Sequence, residues 1–170
     1  VLVACAFAER CAPWLDLGLV SRFADIHDLI EAECGDTNTL AMGEAGRASK
    51  ALREKKALEV IRERFAVLPY IAATIDRYES LADPEARFVK VLDKALPRLT
   101  HALNGGVALR EQGIGLEAVT RINRAQDIEI GSTYGANQSE AMQLLVAAHR
   151  ELAARFEAKP TTAASPPCSP

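Results

Sequence analysis

RFADIHDLIEAECGDTNT, residues 22–39, is the stretch on which the reading of the whole chain turns. Leu19, Phe23, Ile26 and Ile30 recur at helical spacing into and through it. The spacing predicts one helix from about Gly18 to Cys34, broken by Gly35-Asp36. On such a helix His27 and Glu31 lie about 40° apart, and Asp28 falls on the same side. An imidazole and two carboxylates thus share one arc. Phe23, one turn before His27, puts that arc at the edge of the apolar stripe rather than in open water. Polar groups placed there need a partner, and a divalent metal ion is one that imidazole and carboxylate bind together.

Outward from this stretch the chain reads as helices. Residues 1–12 form the end of a buried helix closed by Pro13, and 14–17 a short connection. After a loop over 37–43, residues 45–66 are charged and helix-favouring, with sparse apolar positions at Leu52, Leu58, Ile61 and Phe65. The basic run from Arg53 to Lys56 reads as an exposed face rather than a phosphate site. Leu68-Pro69 opens a helix to about Ser80. Asp83-Pro84 then gives an N-cap and a first-turn proline. The next helix carries Val89, Leu92, Leu96, Leu99 and Leu103 as its stripe and ends at Gly105-Gly106. Pro97 inside it predicts a kink beside Asp93, whose carbonyl its ring opposes. Residues 116–130 are helical, and Asn137 is placed to cap a last helix through Ala158. Pro, Thr, Ser and Ala dominate 159–170, which reads as a disordered tail. With no strand pattern and no repeat, the fold class is all-α.

Composition narrows the function classes. The chain has 170 residues, 49% of them hydrophobic, enough for one domain with a single core. Its 20 basic and 23 acidic side chains are well mixed, for a net charge of −3. That balance leaves no electrostatic footprint for nucleic acid. The apolar run at the start, VLVACAFAERC, is too short to span a bilayer and lacks a positive leader region. Cys5, Cys11, Cys34 and Cys168 make no CxxC pair and read as reduced thiols of a cytoplasmic protein.

Two motifs carry a resemblance: IHDLIEAECGDT at 26–37 and RYESLADPEARFVKVLDK at 77–94. Together the sequence resembles the HD-domain metal-dependent phosphohydrolases, in particular their 5'-deoxynucleotidase branch. The resemblance implies a single HD-type helical bundle over residues 1–158. It implies a divalent ion (Mn, Co, Zn, Fe or Mg) held by His27, Asp28 and the distant Asp93. Glu31 and Asp36 match acidic residues that the family places around the attacked phosphate and its water. A metal lowers the pKa of its bound water and offsets phosphoryl charge, and a nearby carboxylate can orient or deprotonate that water. Glu79 and Lys90 match the second motif as supporting residues, whereas His101 and Lys94 are left outside the site.

The family's first histidine ligand stands on the helix before the His-Asp pair, at a position that falls upstream of Val1. The chain is therefore expected to begin partway through a helix of a longer protein. The expected activity is 5'-nucleotidase action on deoxyribonucleoside monophosphates. Two alternatives keep the fold: triphosphohydrolase action on a dNTP, and a degenerate module that binds a nucleotide without cleaving it. The expected partner is a nucleotide substrate, with no nucleic acid and no membrane; a homodimer is admitted.

Overall fold

The computed structural model describes residues 1–35, 44–134, 150 and 153–155. Its elements are α1 (Leu2–Cys11), α2 (Leu17–Ile26), α3 (Leu29–Cys34), α4 (Glu44–Arg64), α5 (Pro69–Glu79), α6 (Pro84–Leu103), α7 (Val107–Glu111) and α8 (Leu116–Tyr134). The described residues contain no strand, as the periodicity predicts. Among them no helix is long and apolar enough to cross a membrane.

Two helices organise the rest. α2 packs on α1, α3, α5 and α6, while α6 packs on α2, α5, α7 and α8. Small side chains make the first contact possible: Ala4 and Ala8, one turn apart on α1, are buried in a core with Val20 and Phe23 of α2. Tyr78 of α5 and Phe88, Val89 and Leu92 of α6 complete that core. A second core joins Ile30 of α3, Ala57 and Ile61 of α4 and Ile75 of α5. Ile26 packs against both, so the residue before His27 is pinned from two sides. Each buried aliphatic or aromatic side chain here contributes about 1.5–3 kcal/mol of transfer free energy.

Polar contacts fix where α2 begins. The Asp16 carboxylate accepts from the Gly18 and Leu19 amides at 2.7 and 3.2 Å, capping α2. The Asp16 amide in turn donates to Glu85 Oε1 at 3.0 Å. Glu85 is buried in the first turn of α6, so this one bond ties the starts of the two central helices together.

The structure corrects the sequence reading in four places. The single helix expected over 18–34 is two, α2 and α3, parted at His27 and Asp28. Asp28 has φ −95° and ψ 1°, outside the helical region, and the joint lets α2 serve the first core and α3 the second. Asp83 stands at the N-cap position of α6 but makes no capping bond. Its carboxylate instead takes Arg77 Nε and Nη2 at 2.7 and 2.8 Å, a bidentate pair that holds it below the usual carboxylate range. Leu103, the last stripe position, is exposed, and α7 forms between Gly105-Gly106 and residue 116, where the sequence reading has no helix. Pro97 lies inside α6, where the sequence reading has it. Asp36, the loop over 37–43, the greater part of the helix expected after Asn137 and the tail at 159–170 lie outside the described residues. The three described cysteines, Cys5, Cys11 and Cys34, are free and half-buried.

Candidate metal centre

The α2–α3 joint delivers the histidine. The His27 amide still bonds the Phe23 carbonyl at 3.0 Å, and the Ala32 amide bonds the Asp28 carbonyl at 2.8 Å, so both side chains project from an anchored backbone. His27 Nδ1 lies 2.8 Å from the Ala24 carbonyl oxygen. A carbonyl only accepts, so Nδ1 carries the proton and donates. In the neutral ring this leaves Nε2 as a lone pair.

That lone pair faces a carboxylate. His27 Nε2 and Asp28 Oδ2 are 3.1 Å apart, a spacing that two ligands of one metal ion can take. The imidazole is 23% exposed and Asp28 65%, so the pair sits at a mouth rather than in the core.

α6 brings the third donor. One ligand-type atom each from His27, Asp28 and Asp93 lies within 4.8 Å of the others. Donors around one ion at 2.0–2.2 Å are at most about 4.4 Å apart, so the set is close to ligating span. Among the described residues this is the one such group. Burial holds the Asp93 carboxyl above the usual carboxylate range; Lys90 and His27 oppose the shift, and Asp28 and Glu31 add to it. A half-buried carboxylate with no ion-pair partner among the described residues, beside a second carboxylate and an imidazole lone pair, suits a divalent cation. Neutral imidazole with carboxylate oxygens fits Mn, Fe, Co or Zn better than a soft-metal site would.

Glu31 is near but otherwise engaged. Its Oε1 accepts from Lys50 Nζ of α4 at 2.9 Å, and Lys50 lies 3.5 Å from Glu54 Oε1. Burial works against the Lys50 charge, and the two carboxylates outweigh it and hold its pKa up. Lys50 is the residue that the sequence reading missed. It comes from another helix, just before the basic run 53–56, and no periodicity marks it.

The remaining candidates separate cleanly. Lys90 is half-buried, its Nζ 5.4 Å from the centre of the Tyr78 ring. Lys94 turns to α8 and pairs with Glu129 at 3.0 Å. Glu79 is exposed. His101, further along α6, is outside the converging group, and burial holds its pKa low.

A family profile described as HD domain matches residues 1–132, through α1–α7 and nearly all of α8. The chain belongs to the HD-domain family. HD domains are metal-dependent phosphohydrolases that bind divalent ions, and the all-helical bundle is consistent with that fold. No curated protein and no solved structure matches the chain.

Proposed function

We propose that this HD-domain protein is a 5'-nucleotidase acting on deoxyribonucleoside monophosphates, with His27, Asp28 and Asp93 among the ligands of its divalent ion. The observation that supports this most is the convergence of the His27 lone pair, the Asp28 carboxylate and the Asp93 carboxylate within 4.8 Å. When bound there, the ion supplies Lewis acidity for a water and for the phosphoryl oxygens.

The protein's own groups do the rest. The Ala24 carbonyl keeps the His27 proton on Nδ1 and so keeps Nε2 facing the site. Hydrolysis adds a water oxygen to phosphorus while the bond to the 5' oxygen breaks. The attacking water must lose a proton, and Glu31 is the carboxylate assigned to take it; the departing 5' oxygen takes up a proton in turn, so the nucleoside leaves as its 5'-hydroxyl. Lys50 engages Glu31 Oε1, which leaves Oε2 for the water. Asp36 is proposed as the second acidic group, on the grounds of the motif alone.

The test is phosphate release from a panel of ribo- and deoxyribonucleoside monophosphates with Mn²⁺ or Co²⁺. The expected result is metal-dependent release with deoxyribonucleotides preferred. Release of triphosphate from dNTPs, with monophosphates untouched, would move the assignment to triphosphohydrolase action.

A further inference from the structure

We infer that Lys90 receives the anionic, phosphoryl end of the substrate beside the His27–Asp28–Asp93 group. The assignment rests on the phosphohydrolase reading. Lys90 precedes Asp93 by three residues on α6, so the two share a helix face. Its charge acts on the Asp93 carboxyl, yet no described carboxylate lies within ion-pair distance of it.

Other cations of α4, α5 and α6 have partners of their own. Lys50 holds Glu31 and Glu54, Arg77 holds Asp83, Lys94 holds Glu129 and Arg98 holds Asp127. Arg87 donates to the Leu81 and Ala82 carbonyls. Lys90 instead rests its ammonium over the face of Tyr78. A ring face attracts a cation but offers little to its three N–H donors, so the head group is held in place with donor capacity left over.

A lysine whose task was only to neutralise Asp93 would pair with it. Beside a divalent ion, Lys90 is repelled until an anion lies against both. A phosphate dianion meets that condition, and ammonium is a common phosphate partner.

Inorganic phosphate is the probe, titrated calorimetrically into the Mn²⁺-loaded protein and its Lys90→Met, Lys90→Gln and Lys90→Arg variants. Lys90→Met should weaken phosphate by about 10- to 100-fold, as for the loss of one hydrogen bond to a charged group. Its Mn²⁺ affinity should be unchanged or tighter, and its KM for a hydrolysed monophosphate should rise more than its kcat falls. Lys90→Arg should restore most of the phosphate affinity. Should Lys90→Met fail to fold, Lys90→Gln carries the same comparison. Wild-type-like phosphate affinity in the folded variant, with ester hydrolysis intact, overturns the Lys90 assignment and spares the reaction. Loss of Mn²⁺ along with phosphate overturns it too, since Lys90 would then be supporting the ligands. Lys90-dependent phosphate binding without hydrolysis of any ester supports the assignment and removes the reaction. A wild type that neither binds phosphate nor hydrolyses an ester overturns both.

Discussion

Asp93 and Arg98 stand five positions apart on α6, and their surroundings are opposite. Arg98 is 3% exposed, and its donors are spoken for. Asp127 accepts at 2.7 Å, the Asn123 carbonyl at 3.0 Å, and Gln126 Oε1 at 3.0 and 3.3 Å. The charge is paid for inside the protein, and the product is a latch between α6 and α8. Asp93 has no such provision. Burial drives its carboxyl toward the protonated form against the opposing charges of Lys90 and His27, and Asp28 and Glu31 add to the shift. A buried charge satisfied by the fold serves the fold, whereas one without an ion-pair partner at a half-open mouth is the pattern expected of a binding site.

The sharpest way to break this contrast is Asp93→Asn. Metal content should fall to near zero and phosphate release to background. The metal-free variant should nevertheless melt above metal-free wild type at neutral pH. The sign follows from the raised carboxyl. At low pH both folded and unfolded chains hold the proton. As pH rises the unfolded chain ionises first, and the fold loses stability until the folded carboxyl has ionised as well. Asn removes that loss. A metal-free Asp93→Asn that melts lower at pH 7 would show that Asp93 serves the fold as Arg98 does.

Glu31→Gln should come next, with metal retained and the rate reduced on the order of 10²–10⁴-fold, the usual worth of a positioned general base. Metal loss as complete as in Asp93→Asn would make Glu31 a ligand and turn the search for the base to Asp36. Arg98→Met probes the other side of the comparison. Breaking the latch should cost about 2–4 kcal/mol in urea unfolding, near the lower part of the range for buried pairs because Asp127 is partly exposed. Metal bound per folded molecule should not change. The smallest effect is expected of Lys50→Met, which frees Glu31 from its 2.9 Å partner. Roughly a tenfold loss of rate is expected, with Lys50→Arg restoring most of it. Equal rates in Lys50→Met and wild type would show that Lys50 does not orient Glu31.

Much of this was legible in the sequence, for physical reasons. Helical periodicity around Phe23, Ile26 and Ile30, and along Val89 and Leu92, marks the faces that the cores bury. Asp93 borders that face, and the packing of α6 on α2 brings one of its oxygens within 4.8 Å of the ligand-type atoms of His27 and Asp28. The break at His27-Asp28 was not legible, because periodicity continues across it: Ile26 and Ile30 keep helical spacing and both pack in the second core. Nor were the bonds between distant residues, such as the Asp16 amide with Glu85 or Lys50 with Glu31. These depend on which helix lies beside which. Asp83 shows the same limit from the other direction. Its N-cap signature was present, but a bidentate arginine six residues earlier outcompetes the backbone.

The central claim, one ion shared by α2, α3 and α6 through His27, Asp28 and Asp93, is tested most directly by an anomalous difference map from crystals grown with Mn²⁺. A single strong peak within about 2.0–2.4 Å of His27 Nε2 and of one oxygen each of Asp28 and Asp93 is the predicted result. A peak that leaves Asp93 unligated, or density only at a distant acidic surface, would contradict the account.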